Sequence, residues 1–337
     1  MNQFLRKNIS NKLFAFPPWQ EKLYFSSPDD IDLIKYLYKP HSLQAKIGIY
    51  LLNNKFLTFF LLPFYKSNST IIKNFKKNKT FAAIRGSNED RLKYIAAYKT
   101  DKGLVFEKFC NLYSDARIDI MREKRFLNYF RHSSLSSKID CPNLLEFNKS
   151  NFISLKTLDV CNQNSGTPFS FLPSPTLQDA EKFCAYTYNE SKNSYNYQTS
   201  IVQNIFYKIE KKIDLTIYDH KNKNIELSFC HGDLTPWNLK LASDRFAIVD
   251  LEHSRLRFPP YYDLVHFWNS YETLLKRVPK NIIYKSIPCF INACSKVNQT
   301  HLSLAIKFYY SLLFLRGQID QVSFVHILDA IKGIDEE

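Results

Sequence analysis

The chain has 337 residues, 45% hydrophobic and 15% aromatic, and carries a net charge of +14. That length suits two domains or one large two-lobed unit, and the apolar share is ample for a buried core. Seven cysteines without a C-x-x-C spacing exclude a disulfide framework and a zinc signature, and predict reduced thiols in a cytoplasmic protein.

In chain order, residues 1–80 hold 13 Lys and Arg against 4 Asp and Glu, and the cluster Lys73, Lys76, Lys77 and Lys79 is the densest part. Such a patch favours anionic partners, and peripheral contact with an anionic membrane or an acidic glycan is the expectation it raises. Nucleic acid is not expected as a partner, because no recognised helix, zinc or RNA-binding module accompanies the charge. The apolar region from Ile47 to Tyr65 is interrupted by Asn53, Asn54 and Lys55 and broken by Pro63. Its uncharged remainder, Phe56 to Leu62, falls far short of the roughly 20 residues that cross a bilayer. A helix from Ser42 to Leu52 and a strand from Phe56 to Leu62 are predicted instead. The N-terminus lacks the apolar core of a signal peptide.

Two strand-like runs follow, Arg91 to Tyr98 and Leu104 to Phe109, joined by a polar turn that Gly103 closes. Lys108 shares a face with Phe106 and Leu104 by the two-residue period, and a lysine there needs a counter-charge. The helical stretch Ala116 to Phe130 offers one in Glu123, with Lys93 and Glu107 as nearby competitors for the pair. Arg85-Gly86-Ser87-Asn88 is a candidate turn over phosphates, yet the chain has only seven glycines and no phosphate-cradling glycine motif. Phe152 to Leu155 reads as an apolar strand. Asn162 to Pro175 reads as a linker, and beyond it helical periodicity covers Thr176 to Glu190, Asn196 to Leu215, Asp263 to Lys276 and Thr300 to Arg316.

The most informative stretch is His231-Gly232-Asp233-Leu234-Thr235-Pro236-Trp237-Asn238, followed by the apolar strand Phe246 to Asp250. Leu227 to Cys230 delivers Asp233 onto a loop that Pro236 keeps from being a helix interior. Asn238 to Leu241 and Phe246 to Asp250 then form a short hairpin, which brings Asn238 and Asp250 close. Phosphoryl transfer from a magnesium nucleotide needs one carboxylate for the attacking hydroxyl, and an amide oxygen with a second carboxylate for the metal. On that chemistry Asp233 is the base and Asn238 and Asp250 are the metal ligands. The bland reading of the same letters is a hairpin whose Asp and Asn cap turns. His253 and His266 invite a zinc site, but no third ligand stands at a recognisable spacing.

The segment resembles the catalytic and metal-binding core of the aminoglycoside phosphotransferase and choline kinase-like family, small-molecule kinases with the two-lobed protein-kinase architecture. The resemblance implies an α+β fold with a smaller β-rich N-terminal lobe and a larger helical C-terminal lobe carrying the catalytic hairpin. It implies residues 1–80 as a basic extension packed on the N-lobe, 81–161 as the nucleotide-binding lobe and 162–337 as the helical lobe. Asp233 becomes the catalytic base, His231 braces the loop, Asn238 and Asp250 bind Mg2+, and Lys108 with Glu123 positions the phosphates of ATP or GTP. Asp263, after Pro259 and Pro260, would help to fix the catalytic loop, and Leu155 to Val160 would be the hinge against adenine. Asp250-Leu251-Glu252 departs from the Asp-Phe-Gly of protein kinases and argues against a regulated protein kinase. The acceptor expected is a small-molecule hydroxyl, a sugar or amino alcohol linked to surface-polysaccharide metabolism. An aminoglycoside acceptor is poorly supported, since no dense acidic run lies near the motif. The alternative is a catalytically silent scaffold that binds a nucleotide or an anionic partner.

Overall fold

The computed structural model describes residues 14–16, 22–37, 50, 54, 72, 81–86, 91–150, 152–160, 167–196, 200–213, 217, 224–242 and 244–335. The predicted helix from Ser42 to Leu52, the strand from Phe56 to Leu62 and the cluster Lys73, Lys76, Lys77 and Lys79 lie outside the described residues, apart from Tyr50. So do Ser87 and Asn88 of the phosphate-turn candidate and the first part of the linker. The class is α+β, with strands concentrated in the N-terminal part and helices in the C-terminal part. Two compact units divide the chain, one of residues 1–127 and 142–170, the other of residues 128–141 and 171–337.

In chain order the elements are β1 (Phe14–Phe16), β2 (Leu23–Phe25), β3 (Ala82–Arg85), β4 (Tyr94–Thr100), β5 (Gly103–Asn111), α1 (Ala116–His132) and β6 (Ile139–Asp140). Then come β7 (Asn143–Lys149), β8 (Phe152–Leu158), α2 (Leu177–Ser191), β9 (Asn193–Asn196), α3 (Ile201–Ile213) and β10 (Asn224–Cys230). β11 (Leu239–Ala242), β12 (Arg245–Ile248), β13 (Arg255–Phe258), α4 (Tyr262–Ser270), α5 (Ile287–Ala293), α6 (Gln299–Leu315) and α7 (Gln321–Asp335) complete the chain.

The first unit is built on a seven-stranded antiparallel sheet in the order β1-β2-β3-β4-β5-β8-β7. Alternation along each strand gives it two apolar faces. Tyr24, Ala83, Tyr94, Ala96, Tyr98, Val105 and Phe109 pack on one, while Leu23, Phe25 and Ala82 pack with Ile31, Leu33 and Ile34 on the other. Tyr94 and Phe109 are directly opposed in the β4–β5 register, and their rings stack at 5.4 Å. The turn between these strands is tighter than the sequence suggests: Thr100 pairs with Gly103, leaving only Asp101 and Lys102 outside the ladder.

One expectation is corrected in this sheet. Leu155 to Leu158 do not form a hinge, because they lie inside β8, which pairs with β5 on one side and β7 on the other. Their backbone groups belong to two ladders, so adenine has no access to them as hydrogen-bonding partners. β7, which the sequence did not reveal, lies beyond β8 at one end of the sheet. Chain free of the ladder begins only at Asp159, whose N–H already donates to the Leu104 carbonyl at 2.9 Å.

The second unit holds α2 to α7 and two small sheets, β13-β10-β9 and β11-β12-β6. The helix predicted from Asn196 starts later, at Ile201, because Asn193–Asn196 is used as a strand against β10. The helix predicted from Asp263 to Lys276 stops at Ser270 and continues as a wider π-type turn, Tyr271–Leu275. There the Lys276 N–H reaches back to the Tyr271 carbonyl at 3.0 Å. β6 runs parallel to β12 and is locked to it by Arg245, whose Nε donates to both oxygens of Asp140 at 3.1 and 3.0 Å.

α2 opens with a capping box in which the Thr176 hydroxyl accepts from the Asp179 N–H and the Asp179 carboxylate accepts from the Thr176 N–H. Thr176→Ala therefore lowers stability by about 1 kcal/mol, read as a lower urea midpoint with an unchanged slope. An unchanged midpoint would show that α2 is held by packing alone.

Candidate active site

β10 ends at Cys230, and the chain turns at once into the loop His231 to Asn238. Gly232 makes the turn possible. Its φ is +83°, and a Cβ there would sit 2.3 Å from the carbonyl oxygen of His253. A side chain at this position meets both a disfavoured backbone region and a rigid backbone neighbour.

Asp263 holds the start of the loop. Its carboxylate accepts from the His231 N–H at 2.6 Å, from the Gly232 N–H at 2.9 Å and from the Cys230 thiol at 3.2 Å. Burial, then the Asp263 charge, pushes the Cys230 thiol well above its ordinary range, so it stays protonated and donates. Asp263 sits in the first turn of α4, where the helix dipole favours a negative charge. The preceding Tyr261 is left-handed, with φ 62°, and completes the turn from Pro259 and Pro260 into the helix.

His231 is fully buried and spends both ring nitrogens on the backbone. Nε2 lies 2.8 Å from the Val249 carbonyl, and Nδ1 accepts from the Asp233 N–H at 3.3 Å. This is the pattern of an imidazole with its proton on Nε2. The ring thus ties the loop to the end of the hairpin and sets the backbone of Asp233.

Asp233 itself is partly exposed. Its Oδ1 lies 3.0 Å from His266 Nε2, and its Oδ2 accepts from Asn238 Nδ2 at 3.2 Å. The same Asn238 nitrogen donates to the Asp233 carbonyl at 2.9 Å. The hairpin register Leu239↔Ile248 places Asn238 opposite Val249, whose N–H donates to the Asn238 carbonyl at 3.2 Å. Asp250 follows directly, in a left-handed conformation with φ 68° and ψ 56°. That conformation carries on the order of 1 kcal/mol of strain, which Asp tolerates better than most residues. A carboxylate oxygen of Asp250 and one of Glu252 lie within 4.8 Å of each other.

This donor set fits magnesium. The Asn238 amide nitrogen is committed to Asp233, so its Oδ1 is the atom left to offer a cation, and Asp250 adds a carboxylate. Both are hard oxygen donors, as Mg2+ requires. In the first unit, Lys108 on β5 and Glu123 on α1 meet at 2.6 Å, with side chains 13% and 4% exposed. Of the two competitors, Glu107 is buried on the other face and accepts from the Tyr98 hydroxyl at 2.8 Å, while Lys93 precedes β4.

Two participants escaped the sequence. His266 was visible only as half of a zinc pair, yet it binds Asp233, while His253 Nε2 lies 3.5 Å from Glu252. Lys240 is buried and donates to the Pro236 carbonyl and the Ser174 hydroxyl, both at 3.3 Å, tying the loop to the approach to α2. A lysine two residues beyond the loop's amide was the available signal.

Among solved structures, a thermostable mutant of the aminoglycoside phosphotransferase APH(4)-Ia aligns with 79% of this chain and 97% of its own, at 11% identity and a TM-score of 0.40. A microcompartment-associated aminopropanol kinase aligns with 76% of this chain and 90% of its own, at 11% identity and a TM-score of 0.39. Amicoumacin kinase hAmiN, in complex with AMP-PNP, Ca2+ and Ami, aligns with 75% of this chain and 88% of its own, at 10% identity and a TM-score of 0.38. No curated protein sequence matches the chain. Residues 166–279, the stretch that carries the loop, the hairpin and α4, match the family model of the phosphotransferase enzyme family.

Proposed function

We propose that the protein is a kinase that moves the γ-phosphoryl group of ATP, or of GTP, to a hydroxyl of a small molecule. The observation that carries the reading is the Asp233 carboxylate, oriented at both oxygens, one of them by Asn238, which the hairpin sets opposite the residue before Asp250. Asp233 accepts the proton of the attacking hydroxyl as the new O–P bond forms, and the nucleoside diphosphate leaves. Asn238 and Asp250 hold Mg2+, which when bound neutralises the phosphate charge. Lys108, steadied by Glu123, meets the phosphates within a nucleotide-binding part spanning residues 81–161, with residues 162–337 as the helical part. A sugar or amino alcohol of surface-polysaccharide metabolism is the acceptor we favour, on the sequence of the loop and the basic N-terminal segment.

The test is a nucleotide-consumption screen across hydroxyl-bearing metabolites, coupled to calorimetry with ATP. Wild type should bind ATP more tightly with Mg2+ than without it, and Asp250→Ala should remove that difference. Lys108→Ala should weaken ATP binding in either condition. Identical ATP binding by wild type and Asp250→Ala, with and without the ion, would take the metal away from Asp250.

A further inference from the structure

We propose that His266 is a positioning residue for Asp233, an inference that rests on Asp233 as the base. The two side chains belong to different elements, the loop after β10 and the helix α4, and they meet at 3.0 Å. Asn238 holds Oδ2 of the same carboxylate, so His266 is the second of two restraints. With one oxygen held from each side, the plane of the carboxylate is fixed, and with it the direction in which it accepts a proton. A single restraint would leave the group free to rotate about its Cβ–Cγ bond.

The ring of His266 is itself held in place. It lies parallel to the Tyr262 ring, at 6.4 Å between centroids and an interplanar angle of 7°, and edge-on to Tyr309 at 5.7 Å. Tyr309 is fixed in turn by Asn269, which donates to its hydroxyl at 3.0 Å. Nδ1 of His266 is buried and has no hydrogen-bond partner among the described residues. A proton on Nδ1 would be a buried donor without an acceptor, which is costly. The ring therefore keeps its proton on Nε2 and donates to Asp233 Oδ1. The buried Nδ1 has an ordinary reading as an imperfectly satisfied core atom. The separate contact of Nε2 with the base gives the ring a role beyond packing.

Three variants and one spectrum test this. ATP turnover is followed with Mg2+, using water as the acceptor and then any acceptor that the screen identifies. His266→Leu should lower kcat by about 100-fold, the cost of a misplaced reacting group, with the KM for ATP nearly unchanged. His266→Gln, whose side-chain amide can place a donor near the position of Nε2, should recover most of that loss. In the Asp233→Asn background, His266→Leu should add little, because both changes disable the same group. Nitrogen-detected NMR of the wild type should show the His266 proton on Nε2 with Nδ1 bare.

A Gln variant no better than Leu, at unchanged thermal stability, overturns the proposal, since packing and not the donor would then matter. So does a wild-type rate in His266→Leu. If Asp233→Asn itself keeps its turnover, the reading of Asp233 as base fails; if that variant is inactive while His266→Leu is active, only the role of His266 fails.

Discussion

Asp233→Asn lowers turnover by about 10²–10⁴-fold while ATP affinity stays close to that of wild type. The substitution keeps the size and outline of the side chain but removes its capacity to take a proton at neutral pH. Asn238 and His266 both donate toward the Asp233 carboxylate, and an amide offers them only one acceptor oxygen, so its NH2 faces a donor. The backbone position is secured separately, by the Asp233 N–H on His231 Nδ1, so the loop should remain in place. Circular dichroism and the thermal midpoint should match wild type, and calorimetry should return a similar ATP affinity. A variant that turns over at near-normal rate with a responsive acceptor would remove Asp233 from the role.

Asp263→Ala should be the most damaging change to stability near the loop, by on the order of 3 kcal/mol. Three donors lose their acceptor together: the His231 and Gly232 N–H groups and the Cys230 thiol. Asp263 is 4% exposed, so water cannot easily replace it. Asp263→Asn is no rescue, because one of its two terminal groups is a donor aimed at donors. Cys230→Ser keeps an O–H donor and should be mild by comparison. Urea midpoints measure the stability loss, and turnover at a temperature where the variant remains folded measures how far Asp233 has moved. An Asp263→Ala protein within about 0.5 kcal/mol of wild type, with normal turnover, would show that the loop holds itself.

Much of the candidate site was legible because its chemistry is compressed into one run of sequence. His231, Asp233 and Asn238 sit on a single loop, and a two-strand hairpin needs only local pairing to bring the chain at Asp250 back to Asn238. Strand periodicity and the cost of a lysine on an apolar face called for a counter-charge to Lys108, and the family resemblance pointed to Glu123 among the candidates. What could not be read depends on contacts between distant segments. β6 pairs with β12 across about a hundred residues, and its two-residue strand has no periodicity of its own. Nothing local announces that β7 will pair along the far side of β8. His266 meets Asp233 from 33 residues away, and only the direction of α4 decides that it does. The π-type turn after Ser270 keeps helical letters while changing the hydrogen-bond step, so hydrophobic spacing alone cannot mark where α4 ends.

Nearly everything that steadies the loop comes from a short neighbourhood of the chain. Asp263 and His266, one turn apart on α4, grip its backbone and its carboxylate, and Ser254 reaches the His231 carbonyl at 3.1 Å. The loop and the groups that hold it therefore form a portable cassette running from β10 to the end of α4. On the proposed function, the helices beyond Ser270 can exchange residues in pursuit of a new acceptor while the loop keeps its restraints, Tyr309 excepted because it packs on His266. Under selection for new acceptors, such an enzyme should diversify in α5, α6 and α7 first and in the cassette last. Directed evolution of acceptor choice should draw its libraries from the same helices.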